Sequence, residues 1–158
     1  VGLWSMHLVK KFRSVHAFEP VGDHRACFVR NVELGAFALA SCALGAEEGR
    51  VSMRRHSVSS GDTVVTEGDD VALRTLDSFD LRGVNFIKID VEGYEEKVVE
   101  GGKETILRDR PVIIVEQKPA VLARNFGSSE PGAVRLLQRL GYIVRENLSG
   151  DYIMTVMK

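Results

Sequence analysis

The stretch Val84-Asn85-Phe86-Ile87-Lys88-Ile89-Asp90-Val91-Glu92-Gly93-Tyr94-Glu95 decides the fold. Its first half is a short apolar run, rich in β-branched residues and bounded by Gly83 and Gly93. The run is too short for an ordinary helix and predicts a buried parallel strand. Residues two apart share a strand face, so Phe86, Lys88 and Asp90 point one way and Ile87, Ile89 and Val91 the other. Two charges on one face of a central strand cost stability unless each finds a partner. A structural ion pair between strands is one reading. A ligand site is the other, because Asp90 falls where the strand runs into a loop, and open α/β sheets bind ligands at the carboxyl ends of their strands. The acidic loop from Asp90 to Glu95 favours the site.

The 158 residues match one domain, 1–158, long enough to bury a core. The formal net charge is -1 and no segment gathers Lys and Arg over a long face, so neither nucleic acid nor membrane is an expected partner. Cys27 and Cys42 form no metal-type or redox pair and read as small buried hydrophobes in a reducing, cytoplasmic setting. No apolar run approaches membrane-spanning length. Val1-Gly2-Leu3-Trp4 is neither a signal peptide nor a natural start, and the expectation is a chain incomplete at its N-terminus.

Upstream of the central strand, Trp4, Leu8 and Phe12 recur every four residues and predict an amphipathic helix beginning after Gly2. Val15-His16-Ala17-Phe18 predicts a strand that Pro20 stops, leaving Glu19 at its carboxyl end. Arg25 to Leu34 predicts a helix carrying Cys27, Phe28 and Val32, with Gly35 as its C-cap. Phe37 to Cys42 predicts a strand, Ala43-Leu44-Gly45 a turn, and Arg50 to Met53 a peripheral strand. Arg54 to Asp70 is polar and weakly periodic and reads as one long loop, before a short strand at Val71-Ala72-Leu73. Thr75 caps a short helix through Phe79.

Downstream, Glu95 to Glu100 predicts a helix that Gly101-Gly102 breaks, with a further turn or two from Lys103 to Arg108. Pro111 to Glu116 is an apolar run ending in an acid. Pro131 opens a helix through Leu140 that buries Val134, Leu137 and Leu140. Tyr142-Ile143-Val144 and Tyr152 to Met157 flank a hairpin turn at Asn147–Asp151. Alternating strands and helices predict an α/β fold with a mostly parallel sheet, made antiparallel at one edge by the terminal hairpin. The strands ending at Glu19, Asp90 and Glu116 are expected to be parallel and to end on one rim.

His16-Ala17-Phe18-Glu19-Pro20, Asn31, Thr75-Leu76-Asp77, Phe86 to Glu95, Gly101-Gly102 and Arg110-Pro111 to Glu116 together resemble the FkbM family of S-adenosylmethionine-dependent methyltransferases. The matches run in the family's order from Gly2 to about Glu116, and the remainder fits the closing hairpin of the Rossmann-like class I methyltransferase fold. The resemblance implies a first strand and a glycine-rich turn around the methionine part of the cofactor. Only the tail of that turn, Val1-Gly2, is expected here. The strand that would lie between those ending in Glu19 and Asp90 is expected to be missing. The chain would then pair those two strands directly, borrow a strand from another copy in a homo-oligomer, or aggregate.

Methyl transfer from a sulfonium is an in-line displacement, so the protein must chiefly align donor and acceptor. A carboxylate at a strand end soon after a glycine-opened helix can accept both hydroxyls of a ribose, the role expected of Glu19. The resemblance adds Gly2, Asn31 and Ala43 to the expected S-adenosylmethionine contacts, Ala43 beside the adenine. Asp90 would lie near the transferred methyl, binding the cofactor's amino end or taking a proton from a substrate hydroxyl. Glu92 could share that work, although strand alternation aims it at the opposite face. Lys88 would hold Asp90 ionised. Glu116 ends the neighbouring strand and reads equally well as a site acid or a loop acid. His7, His16, His24 and His56 show no ligand spacing, so no metal is expected.

The expected function is therefore S-adenosylmethionine-dependent O-methylation of a sugar or secondary-metabolite hydroxyl. Two other readings stay open. One is a nucleotide-binding Rossmann oxidoreductase or epimerase, since Glu19 suits a nicotinamide ribose equally well. The other is a non-catalytic fragment of the methyltransferase fold.

Overall fold

In chain order the elements are α1 (Leu3–Leu8), β1 (Val15–Phe18), α2 (Gly22–Asn31), β2 (Phe37–Ala40), β3 (Ala43–Leu44), β4 (Gly49–Arg55), β5 (Thr63–Arg74), a 3-10 turn (Asp77–Phe79), β6 (Phe86–Ile89), α3 (Glu95–Glu100), α4 (Lys103–Asp109), β7 (Val112–Glu116), α5 (Gly132–Arg139), β8 (Tyr142–Leu148) and β9 (Asp151–Val156). They come from a computed structural model that describes residues 2–32, 37–55, 63–118, 123, 127 and 130–157. The expected helix end at Leu34 and Gly35, and His56, lie outside the described residues.

The core is built on β6 and its neighbours. β6 runs parallel to β7, β7 antiparallel to β9, and β9 antiparallel to β8, giving the order β6-β7-β9-β8. The two faces of β6 are used as its alternation dictates. Ile87 and Ile89 join the main core with Val99, Ile106, Ile113 and Leu137. On the other face the Phe86 ring meets Trp4 at 6.4 Å and Phe12 at 5.8 Å between centroids. α5 buries Val134 and Leu137 as its periodicity requires, while Leu140 packs only partly against the core. Tyr142 is buried beneath it, and its hydroxyl donates to the Pro111 carbonyl at 3.0 Å.

The sequence motifs upstream of β6 fasten α3 and α4 to the sheet. The Asp77 carboxylate accepts the Glu104 and Thr105 N–H groups at 3.0 and 2.8 Å, capping α4, and the Asp77 N–H donates to the Gly101 carbonyl. Gly101 allows this approach. A Cβ there would stand 1.9 Å from the Gly45 carbonyl oxygen. The Thr75 hydroxyl accepts the Ser78 N–H at 3.1 Å, as a cap for the 3-10 turn should.

Several expectations need correction. Instead of one mostly parallel sheet, the described strands form three: parallel β1-β2, mixed β3-β5-β4 and mixed β6-β7-β9-β8. β1 and β6 share no ladder among the described residues, so the space between them is not closed by direct pairing. Much of the supposed long loop is strand, because β5 reaches back to Thr63 and pairs with β4 through Arg55↔Thr63. Its exposed, polar residues hide the alternation. Ala43-Leu44 is a short strand paired with Leu73-Arg74 rather than a turn. α1 buries none of its residues and stops at Leu8, leaving Phe12 beyond it. Cys42 is buried but Cys27 is exposed on α2.

Candidate functional site

The register of β6 and β7 sets Ile89 beside Val115, so the next residues, Asp90 and Glu116, leave the sheet together. Two carboxylates held side by side cannot both ionise freely. Burial, then a hydrogen bond to Glu116, then the nearby charges of Glu116 and Glu92 push the Asp90 pKa up to about 7, against the pull of Lys88. The Glu116 pKa moves down, chiefly because it accepts that hydrogen bond and pairs with Lys118. The proton of the pair sits on Asp90 and is donated to Glu116, and around pH 7 Asp90 passes between its protonated and ionised forms, the two acids titrating as a unit. The Asp90 side chain remains 41 % exposed, so the shared proton stays within reach of a ligand.

Lys88 pulls the Asp90 pKa down, as its spacing implies, but Asp90 is not its nearest partner. Its ammonium pairs first with Asp151 at 2.5 Å and stands 3.8 Å from Asp90. It also lies 5.6 Å from the centroid of the Trp4 ring. Asp151 opens β9, opposite Glu116, so the lysine ties β6 to β9 across β7. The structural ion pair read from the sequence exists, with a different partner. Burial and Glu116 outweigh the attraction of Lys88 on Asp90.

Strand alternation also misplaces Glu92. β6 ends at Ile89, and the chain then turns through Glu92 at φ 54° and Gly93 at φ 106°. These left-handed residues bring Glu92 back toward Asp90. One carboxylate oxygen each from Asp90, Glu92 and Glu116 lies within 4.8 Å of the others. Lys88 and Lys118 supply positive charge to this cluster. Tyr94, at the end of the loop, joins Val51, Val65 and Leu73 around an open cavity whose rim carries Glu47 and Glu67.

The model of the methyltransferase FkbM domain family matches residues 7–144. The chain belongs to this family. A crystal structure of Methyltransferase FkbM from Methylobacillus flagellatus KT is similar to it in fold, with a TM-score of 0.60 at 17 % identity. That likeness covers 95 % of this chain and 38 % of the other, so the chain spans well under half of that protein's length. No curated protein sequence matches it.

The remaining candidates of this FkbM domain are carried by other elements than the carboxylate pair. Glu19 follows β1, in the two-stranded sheet, and its Oε1 accepts the Val21 N–H at 2.9 Å and stands 3.5 Å from His24 Nδ1. His24 is buried, and its Nε2 has no hydrogen-bond partner among the described residues. Arg25 donates to the Glu19 and Pro20 carbonyls, which fixes this turn. Gly2 adopts φ 78°, and a Cβ there would meet Phe28 and Val32 at 3.2 Å, so packing against α2 demands the glycine. Asn31 ends α2 and is exposed, whereas Ala43 is buried in β3.

Glu116 is the member of the pair that single-residue reading left undecided. The signal was present: Phe86-Ile87-Lys88-Ile89-Asp90 and Val112-Ile113-Ile114-Val115-Glu116 are equal apolar runs ending in acids. Parallel pairing without offset brings those acids together.

Proposed function

We propose that this FkbM domain serves S-adenosylmethionine-dependent transfer of a methyl group to a hydroxyl oxygen of a sugar or secondary metabolite, with Asp90 as general base. The observation that carries the reading is the side-by-side placement of the Asp90 and Glu116 carboxylates at the carboxyl ends of β6 and β7, and it is supported by the Asp90 pKa being raised to about 7. A general base works best when its pKa lies near the working pH.

The donor set fits the cofactor that the family implies. Glu19 offers a carboxylate to ribose hydroxyls, the backbone around Ala43 offers contacts to an adenine, and Glu92 offers an acceptor to an amino group. Gly2 and Asn31 flank this set at either end of the α1–α2 segment. Bound there, S-adenosylmethionine supplies an electrophilic methyl group on a sulfonium. Ionised Asp90 accepts the proton of the substrate hydroxyl as the oxygen becomes nucleophilic. Glu116 then accepts the hydrogen bond of protonated Asp90, which keeps the proton from returning to the product. Lys88, anchored on Asp151, limits the negative charge of the ionised pair. The free, exposed Cys27 fits a reducing, cytoplasmic setting.

Calorimetric titration of the purified chain with S-adenosylmethionine and, separately, with NAD tests this reading. Saturable binding of the first alone is expected. Binding of NAD alone would favour a nucleotide-dependent redox site on Glu19, and binding of neither would refute cofactor use by this chain.

A further inference from the structure

One buried side chain bonds the backbone of the acidic loop. Glu95, the first residue of α3, is 2 % exposed. Its Oε1 accepts the Gly93 N–H at 2.8 Å and the Val91 N–H at 3.3 Å. Those two amides flank Glu92, a non-glycine residue in the left-handed region that side chains rarely adopt. Burial is the largest influence on the Glu95 pKa and raises it, while the loop amides and the Gln117 side chain pull it back. Glu95 Oε2 is buried with no hydrogen-bond partner among the described residues. Burying a carboxylate is costly, and the bonds this one makes in return go to the loop.

Gln117 extends the support. It is 2 % exposed, directly follows Glu116, and its Oε1 accepts the Val134 N–H of α5 at 3.1 Å. Its own N–H donates to the Gly150 carbonyl in the turn before β9. The end of β7, the start of α5 and the β8–β9 turn thus form a fixed wall against which Glu95 sets the loop.

We infer that Glu95 is a positioning residue for the Asp90–Glu116 pair. By bonding both amides that flank Glu92, it folds the loop so that Glu92 stands beside the pair instead of pointing off the opposite face. The inference deepens the reading of Asp90 as the base and takes its catalytic meaning from it. Without the Glu95 acceptor the loop opens, the Glu92 charge moves away and more of the partly exposed Asp90 side chain meets water. Both changes favour the ionised form of Asp90 and lower its pKa.

The test is a carbon-detected NMR titration of the Asp90 carboxyl in the wild-type chain, Glu95→Ala and Glu95→Gln, with amide hydrogen exchange of Val91 and Gly93. Glu95→Gln keeps an oxygen that can accept both amides and is expected to preserve the wild-type midpoint. Glu95→Ala is expected to lower the midpoint by about one pH unit or more. A Glu95→Ala chain that folds with an unchanged midpoint overturns the inference, because a residue that only supported α3 would change stability alone. A Glu95→Gln chain with a lowered midpoint also overturns it, since charge rather than acceptor geometry would then be responsible. If Glu95→Ala does not fold, exchange in the wild type decides: protection of Val91 and Gly93 at least about tenfold above an open loop supports the inference, and its absence refutes it. None of these readouts needs methyl transfer, so an inactive chain would sink the proposed function and leave this result standing.

Discussion

Glu116→Gln is the perturbation that isolates the shared proton. In the wild type, Asp90 rises from an ordinary carboxylate value of 3.8 to about 7. Glu116 supplies two of the four upward influences, as hydrogen-bond acceptor and as neighbouring negative charge. The substitution removes both. It adds an amide that can donate to ionised Asp90, and it frees Lys118, which already feels the Asp90 charge. Burial and Glu92 remain on the raising side and Lys88 on the lowering side. The Asp90 midpoint should therefore fall by about one to two pH units, within the range expected of a like-charge neighbour.

The consequence for stability has a definite sign. A carboxylate whose folded pKa lies above its unfolded value binds extra protons in the native state, so its contribution is lost as pH rises from about 4 toward 7. Glu116, with a lowered pKa, contributes in the opposite sense, and only as pH falls through and below its unfolded value of 4.5. Melting temperature followed from pH 4 to 8 should fall less steeply in Glu116→Gln than in the wild type, and the NMR midpoint should move down with it. An Asp90 midpoint still near 7 in a folded Glu116→Gln chain would refute the sharing.

Two further outcomes follow from the same geometry. Lys88→Met removes the positive charge that lowers the Asp90 pKa and leaves Asp151 without its 2.5 Å partner, so the Asp90 midpoint should rise above 7 in an NMR titration while the melting temperature falls. Gly101→Ala places a Cβ 1.9 Å from the Gly45 carbonyl, and chemical denaturation should show a loss of about 2–4 kcal/mol or more, since neither backbone can yield without moving α4 off its Asp77 cap.

The parts of the fold legible in the sequence are those whose hydrophobic runs are short and sharply bounded. β6, β7, the break at Gly101-Gly102 and the β8–β9 turn stand where apolar runs meet glycine, proline or the Asn147–Gly150 turn, whose Asn147 side chain accepts the Gly150 N–H at 2.9 Å. β5 was not legible, because Glu67, Gly68, Asp69 and Asp70 are exposed around a register shift opposite Val51 and Ser52, which breaks the period of two. In the site, Asp90 was readable as a strand-end acid. The position of Glu92 was not, since a left-handed glutamate carries no sequence signature and reverses the face that alternation assigns. The true partner of Lys88 was hidden for a different reason: Asp151 lies 63 residues away and reaches it only through the order β6-β7-β9. Glu95 read as the last acid of the loop and the first residue of a helix, and its burial and its bonds to the Val91 and Gly93 amides were not legible.

The central claim is that Asp90 takes the proton of the acceptor hydroxyl, and the most direct measurement is methyl transfer by Asp90→Asn against the wild type. Labelled S-adenosylmethionine and a panel of hydroxyl-bearing sugars and secondary metabolites would supply donor and acceptor, with cofactor affinity and melting temperature recorded on the same samples. The account predicts an intact fold, cofactor affinity changed little, and turnover reduced by ~10²-fold or more, the usual scale for a lost general base. Weakening of S-adenosylmethionine binding by about 1.5–3 kcal/mol would instead make Asp90 a ligand of the cofactor. Wild-type turnover per folded molecule would contradict the claim outright.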